Sequence, residues 1–545
     1  MNFIINESKQ KLRGGYYTPF EIALFLSKIV VKNGANILEP SCGDGVFFKT
    51  LNGIAGTLNL CIDGIELDKE EFQKCKIFLN ETNHQYWKVH HYDFLKWYFE
   101  HSQKQEYYDY VLGNPPFIRY QYLSESDQEL SERIFQEKNL KFTKRTNSWV
   151  PFILASLSML KPGGILGMVI PSEILNVIHA ESLRNHLSEE CSKILILDPH
   201  EIWFEGTLQG AAILLVQKKY TKNETSQIAV TRVYGKAFLS KSPMEMLNHA
   251  NYVQTSSISG KWTRILLPLS VNSYLSELED SEIFVKFNTI AKVDVGIVTG
   301  ANNFFLVPDA VVKEYKLDRY AYPMYGRSEH CPGIIYDDKQ HKINTSKGLP
   351  TNFLFFDKEL TKSAKQYIEF GESKFLDIRY KCRIRTPWYK VPSVYSTDIG
   401  MMKRSNGFPR LILNRIGAMT TDTAYRISTS INKEAFVASF LNPITAICAE
   451  IEGRFYGGGV LELVPSEIEK ILVPNPLYTK QLGPSLKFID SFVRKGDYNL
   501  IFDAFLKTFR PIKSKYHQSK MKELIEALHI LQSRRQRKLL DDESV

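Results

Sequence analysis

Ile37-Leu38-Glu39-Pro40-Ser41-Cys42-Gly43-Asp44-Gly45 decides the fold. A short apolar run is followed at once by two glycines around an aspartate, and then by an amphipathic stretch. The spacing predicts a buried strand over Asn36–Glu39, a tight glycine turn, and a helix over Val46–Leu51. The same grammar recurs on both sides. Thr18-Pro19 starts a helix over Phe20–Val31 that Asn33-Gly34 closes. Leu60–Glu66 is the next strand and Lys69–Asn80 its helix. Tyr108–Leu112 is a strand that stops at Asn114-Pro115-Pro116. Phe152–Leu160 is helical, Lys161-Pro162-Gly163-Gly164 turns, and Ile165–Ile170, Ile194–Leu197 and Ala211–Gln217 are strands. Strands alternating with helices predict an α/β, Rossmann-like domain with a mostly parallel sheet covered on both faces.

Beyond this region the grammar changes. Arg119–Thr146 is polar and charged, ending in Lys141-Phe142-Thr143-Lys144-Arg145, and reads as a long loop or loose helix. Past about residue 245, short aromatic strands, proline and glycine turns and basic residues take over. Two domains are expected, 1–240 and a mixed α+β domain over 241–545. A last amphipathic helix, Ser519–Leu540, carries Arg534, Arg535, Arg537 and Lys538 and reads best as a solvated tail.

Charge follows the same division. Of 69 basic and 60 acidic residues, 26 and 27 lie in 1–240, leaving 43 and 33 in 241–545. A basic half beside a neutral half fits a polyanionic partner, although a lysine-rich solvated surface reads the same way. The seven cysteines are scattered and never form a Cys-x-x-Cys pair, which fits reduced thiols and excludes a disulfide frame or zinc site. No apolar run reaches the roughly 18 residues of a membrane span, and the first residues lack a signal-peptide pattern. A cytoplasmic protein without membrane contact is expected.

The chemistry concentrates where strands end. Asp109-Tyr110-Val111-Leu112-Gly113-Asn114-Pro115-Pro116-Phe117 ends a strand in two prolines, which fix φ and remove two N–H donors. The Asn114 amide oxygen and Pro115 carbonyl then offer two acceptors beside the Phe117 ring, a receptor for a planar exocyclic amine. The competing reading is a proline-rich turn that merely ends a strand. Glu39 in the glycine turn disfavours a phosphate and suits a cationic ligand, and the full G-x-G-x-x-G spacing of a pyrophosphate site is missing. Glu66 ends the second strand, about 20 residues on, where an acid binds ribose hydroxyls. Asp93 and Phe94 follow the next strand, placed to hold and stack an adenine. A nucleoside with a positively charged amino-acid tail fits this set: S-adenosylmethionine, and not NAD or ATP.

Taken in order, Tyr16-Tyr17-Thr18-Pro19, Glu39-Pro40-Ser41-Cys42-Gly43-Asp44-Gly45, Gly64-Ile65-Glu66-Leu67-Asp68 and Asn114-Pro115-Pro116-Phe117 resemble the gamma-class N6-adenine DNA methyltransferases of type II restriction–modification systems. The resemblance covers residues 13–220 closely and the remainder loosely. It implies a class I methyltransferase domain with a mixed seven-stranded sheet, followed by a target-recognition domain. It implies that Tyr17, Thr18, Glu39, Ser41, Gly43, Glu66, Leu67, Asp93, Phe94 and Asn114 hold S-adenosylmethionine. Asn114, Pro115, Pro116 and Phe117 match the catalytic tetrad. Phe204, in Trp203-Phe204-Glu205-Gly206, matches an aromatic that stacks on the other face of the flipped base, though it also reads as ordinary core. Segments 295–305 and 454–463 are similar to parts of the family's recognition domains.

Double-stranded DNA is the partner this implies. Asn302 and Asn303 are candidate readers of adenine edges, and Arg383, Arg385 and Arg415 candidate phosphate or guanine contacts. Only about a dozen residues precede the first motif, from which no N-terminal nuclease is expected, and the C-terminal part shows no metal-binding carboxylate cluster. Any cognate restriction endonuclease is therefore expected to be a separate protein, with methylation protecting the host's sites. Two alternatives share the amine pocket or the fold. One is an RNA-base or protein-glutamine N-methyltransferase; the other is a non-enzymatic DNA-specificity protein with a decayed site.

Overall fold

The computed structural model describes residues 17–54, 58–82, 84–101, 106–201, 210–258, 260–456 and 459–537; Phe204 lies outside them. The chain forms two compact units, Met1–Leu266 with Arg537–Val545, and Leu267–Gln536. The expected division after residue 240 therefore comes too early. Residues beyond it still belong to the first sheet, where Val253–Gln254 pairs antiparallel with Gln227–Val233.

The first unit is a nine-stranded sheet: β1 (Asn36–Glu39), β2 (Cys61–Glu66), β3 (Trp87–His91), β4 (Tyr108–Gly113), β5 (Leu160–Pro171), β6 (Cys191–Pro199), β7 (Ala211–Lys218), β8 (Gln227–Val233) and β9 (Val253–Gln254). Their order is β3-β2-β1-β4-β5-β7-β6-β8-β9. Strands β1 to β5 run parallel, and β7 runs antiparallel to both β5 and β6. The first seven strands form the expected seven-stranded core, and β8 and β9 extend it by two. Alternation along each strand divides the core between the two faces. Leu38, Val111, Leu166 and Ile196 point into one apolar cluster with Trp149 and Ile153, while Ile37, Leu112, Ile165 and Leu195 point into another with Phe25 and Phe48.

Helices follow the strands: α1 (Phe20–Ser27), α2 (Val46–Ile54), α3 (Lys69–Asn80), α4 (Phe94–Glu100), α5 (Glu125–Glu137), α6 (Trp149–Met159) and α7 (Glu181–Glu190). The Asp68 carboxylate caps α3 by accepting from the Glu70 and Glu71 amides, which satisfies donors a helix start leaves open. Two local expectations are corrected and one is narrowed. Lys161–Gly164 is not a free turn but part of β5, absorbed by a register shift against β4. Arg119–Thr146, expected as a long loop or loose helix, holds a packed helix, α5, capped by Ser124 and burying Ile134 and Phe135. The C-terminal helix is Lys515–Arg535, and it is no solvated tail. Met521, Leu524, Leu528 and Leu531 are buried along it, and the buried Arg535 guanidinium pairs with Glu450 at 2.9 Å.

The second unit is mixed α+β. Its largest sheet takes Ala291–Val295, Ala424–Thr429, Ile399–Met402, Leu411–Asn414 and Ile335–Tyr336, in that order, and a four-stranded sheet is built on Ala321–Tyr325 and Asn352–Leu354. Among the described residues no single helix is long and apolar enough to cross a membrane.

Candidate active site

Sheet register assembles the site. Glu39 lies opposite Gly64, Glu66 lies opposite His91, and Leu38 lies opposite Val111. Glu66 therefore stands two residues beyond the level of Glu39, and Asp93 two beyond Glu66. Asn114 follows the last residue of β4. All four emerge at the carboxyl ends of four adjacent parallel strands, the edge at which open α/β sheets bind ligands. Together with Tyr17, Thr18, Ser41, Gly43, Leu67, Phe94 and Pro116 they line one cleft of about 780 Å³. Gly43 and Gly45 make the turn with φ of +52° and +82°, a region that L side chains rarely adopt. A Cβ at Gly45 would also fall 2.8 Å from the Cys75 sulfur.

The cleft is acidic and partly dry. Glu39 is 2% exposed, and its Oε2 has no hydrogen-bond partner. Burial, then the neighbouring Cys75, Glu66 and Asp44, pushes its carboxyl well above the ordinary range. Glu66 is also raised by burial, against the pull of the Asp68 and Gly43 amides, which donate to it at 2.7 and 2.8 Å. Asp93 is raised by burial as well, although its Oδ1 accepts from the Lys96 amide at 2.8 Å and caps α4. Three carboxyl groups that resist ionisation around one cleft favour a ligand that brings positive charge. On the rim, the Tyr17 hydroxyl donates to Glu71 at 2.8 Å, and Lys74 pairs with the same carboxylate at 2.7 Å.

On the second wall Asn114, Pro116 and Ile118 line the cleft, whereas Pro115 and Phe117 are not among its lining residues, and Phe117 packs against the core beneath. Ser41 Oγ donates to the Asn114 carbonyl at 3.1 Å, joining the β1 and β4 loops. A Cβ on Gly113 would sit 3.3 Å from the Pro40 ring, so the two loops pack closely. Beyond the prolines, Ser148 encloses Phe117. Its hydroxyl donates to the Pro116 carbonyl and accepts from the Ile118 amide at 2.8 Å, and its own amide donates to the Ile118 carbonyl at 2.9 Å. Ser148 sits at the N-terminus of α6 without capping it. Sequence reasoning missed this residue. The signal available was Thr146-Asn147-Ser148 ahead of an apolar helix, which points to a local cap and not to a partner 32 residues away. Ile118 and Phe152 also line the cleft unforeseen. Phe94 reaches it while packing on Phe152 at 5.0 Å.

In the second unit the candidate readers divide. Arg385 is tied internally, donating to the Val298 and Thr299 carbonyls at 2.6 and 2.7 Å. Arg415 pairs with Glu434 at 2.8 Å on the surface. Asn302 accepts from the Thr299 hydroxyl and donates to Asp422 at 3.4 Å, closing its own turn. Asn303 and Arg383 are exposed.

A family model described as N-6 DNA Methylase matches residues 2–279, and one described as Type II methyltransferase M.Eco57I, C-terminal domain, matches residues 259–506. The chain is 24% identical over 470 residues to the type II methyltransferase M.AccI of Acinetobacter calcoaceticus, covering 84% of each. It is also 24% identical over 367 residues to M.HindII of Haemophilus influenzae, covering 62% of this chain and 65% of that one. Among solved structures, the type IIL restriction–modification enzyme MmeI in complex with DNA superposes with a TM-score of 0.56 at 11% identity. That match covers 93% of this chain and 74% of MmeI.

Proposed function

We propose, from the premise that the chain belongs to the N-6 DNA methylase family and is an adenine-specific DNA methyltransferase, that the cleft binds S-adenosylmethionine and the Asn114–Phe117 loop receives the target adenine. The observation that carries this is the convergence of Glu39, Glu66, Asp93 and Asn114 from four adjacent strand ends on one cleft. The residues fit the cofactor. Glu39 holds a buried carboxyl oxygen without a partner, suited to an ammonium group. Glu66 is already oriented by two amides and keeps lone pairs for ribose hydroxyls. Asp93, Phe94 and Leu67 line the space for an adenine ring.

S-adenosylmethionine supplies an electrophilic methyl group. The chain's part is to make the adenine amine nucleophilic. The N6 lone pair is delocalised into the ring, and accepting both amine hydrogens at Asn114 Oδ1 and the Pro115 carbonyl favours a pyramidal nitrogen. Those fixed acceptors stabilise the positive charge that develops on the nitrogen, so no strong base is needed. Phe117 stacks on the base. The adenine must leave the duplex, at a cost of a few kcal/mol, which contacts from the second unit offset. Phe204 is the candidate for the opposite face of the base, and a cognate restriction endonuclease acting on the same site is the functional partner.

The test is modified-base sequencing of DNA from a host lacking other adenine methylases. One culture expresses the wild-type chain and a second its Asn114→Ala variant. N6-methyladenine at one short motif, absent with the variant, is the expected result. No methyladenine in either culture would redirect the reading to RNA bases or a protein glutamine.

A further inference from the structure

Between residues 370 and 384 the second unit presents an exposed ridge. Phe370, Phe375, Ile378, Tyr380 and Ile384 are 43%, 69%, 62%, 64% and 63% exposed. Folded domains seldom leave large apolar side chains clustered in water unless the patch meets a partner. Lys374, Arg379, Lys381 and Arg383 alternate with them and are exposed too, and their side chains make no hydrogen bond or ion pair among the described residues. Their interactions are with rings: Lys374 lies over Phe370 at 5.8 Å, and Lys381 and Arg383 each lie 5.5 Å from the Tyr380 ring.

The ridge stands on a fixed base. Leu376 and Cys382 are buried beneath it. Arg385 holds the Val298 and Thr299 carbonyls, and a Cβ on Gly300 would approach Lys381 Cβ to 2.7 Å. The 297–300 loop and the ridge are thus packed closely together. Phe375 has φ of +55°. An L residue held in that region carries strain of order 1–2 kcal/mol, and such strain gathers where a side chain must be presented in one direction.

We propose that residues 370–384 form the face on which duplex DNA docks, with the four cations on phosphates and Phe375 as an apolar wedge against the base pairs; this rests on the DNA reading above. The charge argues for DNA: four exposed cations stand against Glu372 and Asp377, and the Glu372 carboxylate already accepts from the Trp388 indole N–H at 3.0 Å. Apolar side chains flanked by cations match a partner with a polyanionic edge and flat hydrophobic faces. Wedging residues of this kind enter base steps, and cations tracking the backbone bind through counterion release.

The experiment uses the full chain and two labelled duplexes, one carrying the motif found by modified-base sequencing and one of scrambled sequence, titrated across salt concentrations. Lys381→Gln/Arg383→Gln is expected to weaken both duplexes and to flatten the log–log salt slope by about 0.9 for each phosphate no longer neutralised. Phe375→Ser is expected to leave the slope unchanged and to weaken binding roughly five- to 150-fold, the range for removing one aromatic ring from a base. Lys342→Gln/Lys347→Gln, an exposed pair away from the ridge in sequence, should leave binding as it was, and all variants should keep the wild-type melting temperature. If the wild type binds and both ridge variants match it in affinity and slope, the ridge proposal is overturned. If the wild type binds neither duplex, the DNA reading falls and the ridge proposal falls with it.

Discussion

Replacing Glu39 with glutamine tests the cofactor cleft most directly. The carboxyl is 2% exposed, one of its oxygens has no partner, and burial holds its proton well above the ordinary value of 4.5. A bound ammonium would remove that penalty. A hydrogen bond to a charged group contributes about 1.5–3 kcal/mol, and a neutral one about 1 kcal/mol. Glutamine keeps an acceptor and loses the charge, so the difference is roughly 0.5–2 kcal/mol, or two- to thirtyfold in Kd at 1.36 kcal/mol per decade. Calorimetry of S-adenosylmethionine binding reads this without turnover. The sign with pH follows from linkage. The free protein keeps the Glu39 proton above pH 4.5, where an unfolded chain has lost it, and a bound cation expels it. Wild-type affinity therefore rises with pH up to the raised value of the free folded protein, with protons released. Glu66 and Asp93 are raised too and contribute in both proteins, so the variant should show a shallower rise. The stability that this raised carboxyl contributes is present below pH 4.5 and lost as pH climbs towards the folded value. The ligand-free variant should therefore melt higher than wild type near neutrality, with the gain vanishing near pH 4.5. Wild-type affinity and pH slope in Glu39→Gln, or a lower melting temperature near neutrality, would refute the assignment of Glu39 to a cation.

Other predictions address the second wall and the packing. Asn114→Ala should abolish methyl transfer while leaving duplex affinity largely intact, since on the proposed reading it removes an acceptor met only by the flipped base; gel-shift and methylation assays on one preparation separate the two. Ser148→Ala strips the Pro116 carbonyl and Ile118 amide of a shared hydroxyl, and a buried group left unmet costs about 1–3 kcal/mol. It should lower kcat roughly five- to 150-fold with KM for S-adenosylmethionine unchanged, and Ser148→Thr should restore it; a changed KM with normal kcat would place Ser148 outside the catalytic loop. Glu450→Gln leaves the buried Arg535 charge without its counter-ion and should cost about 3–5 kcal/mol in denaturant unfolding.

How much was legible depends on how local the cause is. β1 and α3 have the bounds expected of them, because a glycine turn ends one and Asp68 caps the other within three residues. The site residues on β1 to β4 were legible for the same reason: each ends a strand, and parallel register does the rest. Helix α5 was legible only as one of two readings, a loop or a loose helix, since its apolar stripe is thin and its charges read as solvent-facing until the core receives Ile134 and Phe135. Ser148 carried a local signal that pointed to the wrong partner. The C-terminal helix read as a tail because its arginines look solvated, whereas Glu450, 85 residues earlier, neutralises Arg535. The boundary after residue 240 comes early because β9, at Val253–Gln254, adds an edge strand to the first sheet that no periodicity distinguishes from the start of another domain.

The basic excess of residues 241–545 carries a sharper meaning once its partners are known. Arg385 holds two carbonyls, Arg426 holds the Ser393 and Val295 carbonyls, Arg494 pairs with Asp490, and Arg535 pairs with Glu450. These side chains are tied into the unit itself, and breaking such a tie leaves a carbonyl or carboxylate acceptor unmet. Arg415 is different, since an exposed pair such as the one it makes with Glu434 is worth about 0–1 kcal/mol and can be exchanged for a phosphate. Lys374, Arg379, Lys381 and Arg383 have no such commitments, and they lie within ten residues of one another beside apolar groups left in water. Residue type alone made Arg383 and Arg385 equal candidates. Their hydrogen bonding separates them: Arg385 ties the 298–299 carbonyls, and Arg383 stays on the exposed ridge proposed above to dock DNA.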